Sequence, residues 1–208
     1  MLPTGRSRLL LASASPRRLE LLRGVGVHVE VRPVDVDERP GPSEAHGDYL
    51  VRVVDSKRKA GLALASGFDG MLVADTIVVQ DDQILGKPRD DGDALAMLRS
   101  LVGREHRVQT RYAVDRLGAT GHSVDRVSGT VSTSVFVRNV DTAWLERYVA
   151  TGEGRDKAGS YAIQGIFGAA IERIHGSYAN VVGLPVCEVV EALERLGLVE
   201  NFPAYLPV

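Results

Sequence analysis

Leu9-Leu10-Leu11-Ala12-Ser13-Ala14-Ser15-Pro16-Arg17-Arg18-Leu19-Glu20-Leu21-Leu22 joins an apolar tetrapeptide to a leucine-rich repeat at helical spacing, and it reads as a strand that turns directly into a helix. Ser15 suits the N-cap. Pro16 suits the first helical position, where its missing N–H has no intrahelical partner to lose. Free backbone donors, the positive end of the helix dipole, the hydroxyls of Ser13 and Ser15 and the guanidiniums of Arg17 and Arg18 then converge within one turn, which is phosphate-binding chemistry. A capped helix carrying two solvated arginines accounts for the same six residues, so the rest of the chain has to decide.

Outward from this turn, short β-rich runs alternate with helical patterns. Val27 to Arg32 reads as a strand, Tyr49 to Ala65 as a helix and Met71 to Val79 as a strand, an alternation that predicts an α/β layer architecture. Pro40, Gly41 and Pro42 form a loop. A hairpin is expected from Ile77 to Leu85, turning at Asp81-Asp82 and closed by Gly86-Lys87-Pro88. Asp90 to Leu101 is the next helix, and His106 to Val137 reads as two long antiparallel strands joined by a polar turn at Gly118 to Ser123, which makes the sheet mixed. Trp144 to Val149 and Pro185 to Leu196 are amphipathic helices, the second stopped by Gly197. The stretch between them, Gly152 to Gly183, is dense in glycine and hydroxyls.

A chain of 208 residues that is 44% hydrophobic and 25% charged can bury a full core, and residues 1–208 are expected to form one domain, with two lobes about a cleft as a further expectation. A net charge of -2 with dispersed Lys and Arg argues against a nucleic-acid polymer as partner. No apolar run reaches the roughly 18 residues of a membrane span, and Met1 to Arg8 lacks the apolar core of a signal peptide, so a cytoplasmic protein is expected. Cys187 is the only cysteine, which excludes an intrachain disulfide; it is expected to pack under a helix.

Three further features carry chemistry. In the second helix Leu50, Val53, Val54, Ala60, Gly61 and Leu64 form one stripe, and Lys57 falls on it, so this lysine either snorkels outward or reaches a buried anion. The apolar strand Met71 to Val79 is interrupted only by Asp75-Thr76. A carboxylate there needs a metal ion, a lysine or several donors, unless it sits at a bulge facing a cleft or on an exposed edge. With the acidic group Asp35, Asp37 and Glu38 and the lysines Lys57 and Lys87, it makes a site for a divalent ion carrying a phosphate chain. Finally, Asp156 to Gly165 combines glycines with Gln164, whose amide offers the donor and acceptor needed to read a base edge, or caps a neighbouring turn. No Walker loop and no G-x-G-x-x-G after a strand occurs.

Taken in order, these islands resemble the Maf-like nucleoside triphosphate pyrophosphatases, known also as septum formation inhibitor proteins. The matching pieces are Leu11 to Arg18 with Leu21-Leu22, Asp37-Glu38, Lys57, Ala74-Asp75-Thr76, Gly86-Lys87-Pro88, Asp156 to Gly165, Gly176-Ser177-Tyr178 and Val182 to Pro185. The resemblance implies an elongated mixed α/β fold related to the inosine triphosphate pyrophosphatases, with its site between two lobes. It also implies hydrolysis of a nucleoside triphosphate to the monophosphate and pyrophosphate with a divalent metal, Mg2+ or Mn2+, a link to division arrest, and compatibility with a homodimer. Asp75 matches the residue assigned as proton acceptor, and Arg17, Thr76 and Gln164 match residues linked to base choice. The Tyr161-Ala162-Ile163-Gln164-Gly165 form looks like the branch favouring dTTP and UTP. On that reading Asp75 is catalytic, Glu38 and Asp75 are metal ligands, and Ser13, Ser15, Arg17, Arg18, Lys57, Thr76, Lys87 and Gln164 bind substrate. Arg111-Tyr112 and the loop Leu117 to Asp125 depart from the family pattern. The competing expectations are a purine-directed house-cleaning pyrophosphatase and a non-catalytic nucleotide sensor.

Overall fold

A computed structural model describes residues 7–200 and 202–203; all of Met1 to Arg8 except Ser7 and Arg8 lies outside the described residues. One mixed sheet forms the frame, in the order β2 (Glu30–Val31), β1 (Leu9–Leu11), β3 (Gly70–Gln80), β5 (Glu105–Leu117), β6 (Ser123–Val137) and β7 (Ile171–His175), with β4 (Gln83–Leu85) paired to β3. Strand β1 (Leu9–Leu11) runs parallel to both β2 (Glu30–Val31) and β3 (Gly70–Gln80). Helices α1 (Pro16–Gly24) and α2 (His46–Leu62) make the crossovers of this parallel part. Strand β3 then reverses at Asp81 and Asp82, both at positive φ, into β4 (Gln83–Leu85), a hairpin turn of the sort Asp tolerates. Helix α3 (Asp91–Leu101), capped by the Asp90 carboxylate accepting from the Asp93 N–H, leads to the long antiparallel pair β5 (Glu105–Leu117) and β6 (Ser123–Val137). Helix α4 (Thr142–Ala150), two 3-10 turns (Ala158–Ser160 and Ile166–Ala170), strand β7 (Ile171–His175), α5 (Tyr178–Val182) and α6 (Val186–Arg195) complete the chain. The mixed sheet flanked by helices is therefore present as expected.

Strand β3 organises the core because both its faces are covered, as its near-continuous apolar run requires. Met71, Val73, Ile77 and Val79 face α2, where they meet Leu50, Val53 and Val54. Leu72 and Ala74 pack on the other face against Val189 and Leu193 of α6, and Val78 joins a second cluster around Leu98, Tyr161 and Phe167. Gly61 lets α2 lie close on the sheet, since a Cβ there would sit 2.7 Å from the Met71 sulfur and 3.0 Å from the Ala12 Cβ.

The edges of β3 position the site. One edge pairs with β5 from Gly70 to Val79 in unbroken register. The other pairs with β1 only at Gly70–Leu72 and with β4 only at Val78–Gln80. Between them a notch remains beyond the carboxyl end of β1, and Asp75 and Thr76 lie in it. The bulge allowed for Asp75 does not form: it pairs with Arg111 without a register shift.

Several sequence expectations are corrected. Helix α2 begins at His46 and ends at Leu62, so Leu64 lies outside it and is exposed rather than on the buried stripe. Strand β2 is two residues long, not six, because the three-residue β1 offers it only Leu10 and Leu11. Cys187 is exposed near Glu191, because α6 buries the face carrying Val189, Val190 and Leu193 instead.

A second buried charge lies on the α2 face of β5. Asp115, with no exposed surface, accepts from Arg58 Nε at 2.9 Å on both carboxylate oxygens and from Ser123 Oγ at 2.5 Å. Replacing Arg58→Ala leaves that carboxylate uncompensated, and urea denaturation should show a loss of about 3 kcal/mol; a loss below about 1 kcal/mol would mean that the pair carries little of the α2–sheet contact.

Candidate active site

The strand-to-helix turn is built as a hydroxyl and amide concavity. Ser15 stands at the N-cap and Pro16 at the first helical position, but the cap's own hydroxyl makes no capping bond; instead Ser13 Oγ accepts from the Ser15 N–H at 3.2 Å. Arg18, only 7% exposed, folds back under the turn. Its Nη1 donates to Ser13 Oγ at 3.0 Å, its Nη2 to Thr76 Oγ1 at 3.2 Å and its Nε to the Gly183 carbonyl at 2.9 Å. Burial lowers its pKa, opposed by Asp75. One guanidinium thus ties together β1, β3 and the end of α5, and most of its donors serve the protein. Gly183 can turn here because its φ is +134°, a conformation side chains disfavour.

On the α2 face, Lys57 settles the question of its own direction. It is 8% exposed, and its Nζ lies 2.6 Å from Asp75 Oδ1 and 2.6 Å from Glu38 Oε1. The lysine therefore reaches a buried anion, and the carboxylate in the middle of β3 has the lysine partner that its burial demands. Glu38 arrives from the loop after β2, whose main chain is held by the Tyr49 hydroxyl donating to the Glu38 carbonyl at 2.9 Å. Of the rest of that acidic group, Asp37 is paired with Arg39, whose hydrogen bonds push its carboxyl far below the usual range. Only Glu38 of the three acids lines the cleft.

All ten residues singled out from the sequence line one cleft of about 330 Å³. Ser13, Ser15, Arg17 and Arg18 come from the turn, Glu38 and Lys57 from the α2 side, Asp75 and Thr76 from the notch, Lys87 from the loop after β4 and Gln164 from the loop before the second 3-10 turn. Lys87 is exposed and, among the described residues, has no carboxylate within ion-pair distance. Its loop is fixed by the Gly159 N–H donating to the Gly86 carbonyl at 3.1 Å, with Gly159 at φ +67°. Arg17 lies 3.9 Å from Asp156 across the cleft. Cations outnumber acids along this wall, so it suits a polyanion.

Sequence reasoning missed the apolar lining. Val34, Val78, Val108 and Val181 also line the cleft, and none bears a polar signal to mark it; Tyr161 joins them. Tyr161 is held from beneath: its hydroxyl lies 2.7 Å from His106 Nε2, and its ring packs on Phe167 at 5.0 Å between centroids. Asp156 and Lys157, bonded at 2.5 Å, line the cleft beside it.

The hydroxyl- and amide-lined turn, the buried Lys–Asp–Glu cluster and the glycine-rich loop thus meet in one cleft. The family model for Maf-like proteins matches residues 8–196.

The chain belongs to the Maf-like family.

By sequence, the chain is 47% identical over 191 residues to the dTTP/UTP pyrophosphatase of Geobacter metallireducens, covering 92% of this chain and 97% of that protein. It is 48% identical to the dTTP/UTP pyrophosphatase of Anaeromyxobacter dehalogenans, with 91% and 94% covered, and 49% identical to that of Alcanivorax borkumensis, with 89% and 94% covered. Among solved structures, a dITP/XTP pyrophosphatase from Mycobacterium abscessus is similar at 14% identity and a TM-score of 0.41, covering 94% of this chain and 99% of that one. Among the described residues no helix is long and apolar enough to cross a membrane.

His106 gives the site a pH signature. Burial pushes its imidazole down to about 4 from an ordinary 6.5. Between those values the unfolded chain holds a proton that the folded protein refuses, so stability must fall as pH drops through that window, by about 3 kcal/mol in all. Urea denaturation at pH 7 and pH 4.5 should show the loss, and His106→Gln should flatten the slope; an equal slope in the variant would assign the loss to other groups.

Proposed function

We propose that this protein hydrolyses nucleoside triphosphates between the α and β phosphorus atoms, releasing the monophosphate and pyrophosphate, with preference for dTTP and UTP. The observation that carries the reading is the notch of β3, where a carboxylate held by Lys57 faces the hydroxyls, amides and cations of the turn at Ser13–Arg17. The relatives named as dTTP/UTP pyrophosphatases span nearly the whole chain and support the pyrimidine preference.

The chemistry follows from the placement of charge. Water attacks the α phosphorus in line; the bond from that phosphorus to the bridging oxygen breaks, and the electron pair leaves with pyrophosphate. Negative charge grows on the departing group, so Arg17, Lys87 and the dipole of α1 should surround it. Asp75 takes the proton of the attacking water. Lys57 occupies Asp75 Oδ1, while no other side-chain hydrogen bond among the described residues reaches Asp75, so the second oxygen is the one free to act. Ser13 and Arg18 hold the turn in shape, and Thr76, fixed by Arg18, Thr110 and the Gly183 carbonyl, presents the notch to the nucleotide.

A divalent ion fits the donor set. Glu38 and Asp75 supply hard carboxylate oxygens, each with one oxygen not engaged by Lys57, and Mg2+ or Mn2+ takes one or two carboxylates and completes its shell with water and phosphate oxygens. Among the described residues no cluster of three or more His, Cys, Asp or Glu could hold an ion without the nucleotide. Bound there, the ion would act as a Lewis acid on the phosphate chain.

Asp75→Asn keeps a hydrogen-bond acceptor for Lys57 but removes the base. Pyrophosphate release from UTP should fall by between about a hundredfold and ten-thousandfold with the fold intact by circular dichroism; near-normal turnover would rule out Asp75 as proton acceptor. A panel of triphosphates with Mg2+ should rank dTTP and UTP first, and Gln164→Glu should shift that ranking more than it slows the best substrate. A ranking headed by ITP or XTP would overturn the pyrimidine assignment.

A further inference from the structure

Gln164 is exposed at the rim of the cleft, and among the described residues its side-chain amide makes no hydrogen bond. Its donor and acceptor are thus available to a base, but nothing except its own main chain places them. That main chain is pinned from outside the cleft. Glu153, half-buried at the turn after α4, sends its carboxylate across to the residues that follow Gln164: Oε2 accepts from the Ile166 N–H at 2.8 Å and Oε1 from the Phe167 N–H at 3.3 Å. These are two of the unpaired donors at the start of the Ile166–Ala170 turn, so Glu153 caps that turn from thirteen residues away in sequence. The intervening Gly165 leaves room for this carboxylate, since a Cβ there would displace it.

Glu153 is fixed at its other end as well. Its carbonyl accepts from Lys157 Nζ at 2.7 Å, and Lys157 lines the cleft beside Asp156. Tyr148 stands behind it, with its phenol raised first by burial and then by the nearby Glu153 carboxylate. One residue that touches neither phosphate nor base wall therefore links the rim of charged residues to the loop carrying the base-reading amide. Fixing that loop before a nucleotide arrives removes an ordering cost that would otherwise be charged against binding.

We propose that Glu153 is a positioning residue for base recognition, holding the Gln164 amide at the height of the nucleoside end of the cleft. The proposal rests on the reading of Gln164 as the group that contacts the base. Glu153→Gln has the same shape but turns an amide donor toward one of the two N–H groups that the carboxylate accepts, so one bond is lost and the loop is released. Ile166→Pro reaches the same link from the other side: it deletes the N–H at an exposed first-turn position after extended Gly165, where proline is tolerated, and leaves Glu153 in place.

The test measures KM and kcat for UTP, dTTP, CTP and ATP with Mg2+ in the intact chain, for the parent, Glu153→Gln, Ile166→Pro and Gln164→Ala, with thermal unfolding alongside. Glu153→Gln should raise KM for UTP about tenfold, leave kcat within about twofold, and narrow the preference for UTP over CTP by a factor close to its effect on KM. Ile166→Pro should do the same to a smaller degree. An equal loss across all four triphosphates, or an unchanged preference in both variants while Gln164→Ala alters it, overturns the role of Glu153. An unchanged preference in Gln164→Ala overturns the base-reading role of Gln164 itself, and the proposal with it. If Glu153→Gln fails to fold, Ile166→Pro decides by the same two measurements.

Discussion

A lysine clasped between two carboxylates, Lys57 between Asp75 and Glu38, is the interaction around which the molecule is arranged. A carboxylate 7% exposed in a covered strand would be ruinous without a counter-charge, and an isolated ammonium on the buried face of α2 would be equally so. Each makes the other tolerable, and together they fix where α2 crosses β3. Gly61 then lets the helix lie close enough for the lysine to reach, and the gap between the β1 and β4 pairings leaves the Asp75 carboxylate open to the cleft. A buried ion pair adds little net stability compared with apolar packing of the same volume, so this cluster sets the position of α2 on the sheet more than it adds to the stability of the core.

The geometry separates roles that composition lumps together. Arg17 and Arg18 are adjacent in sequence, yet one lies half-exposed across from Asp156 and the other is buried beneath the turn, bonded to Ser13, Thr76 and Gly183. A buried guanidinium with satisfied donors shapes a site, whereas an exposed one can follow a phosphate. Lys57 and Lys87 divide in the same way. The first is committed to carboxylates and the second is free of them among the described residues.

Much of this is legible in the linear chain because the relevant signals are local. The Ser13–Arg18 turn, the Asp81-Asp82 hairpin and the long pair β5 and β6 follow from periodicity and turn chemistry, and the interruption of an apolar strand by Asp75 by itself demands a partner. What escapes depends on contacts distant in sequence. Asp115 reads as one more charge in a polar strand until Arg58 is seen above it. Tyr161 gains its place from His106, 55 residues away, and the apolar lining of the cleft comes from valines that look like any others in the core. Periodicity misplaces Cys187 because its helix has a wide apolar face and a one-position change in phase moves a small residue from inside to outside. It overestimates strand β2 since the length of that strand is set by a neighbour of only three residues.

Arg18 has one more implication. Its donors reach Ser13 and Thr76 in the first half of the chain, but also the Gly183 carbonyl, 165 residues downstream. During synthesis on the ribosome the turn at Ser13–Arg18 therefore lacks one of the three partners of its bracing arginine until the end of α5 has emerged. A nascent polypeptide can bring Lys57 to Glu38 and Asp75 early, whereas the full set of Arg18 bonds waits for Gly183.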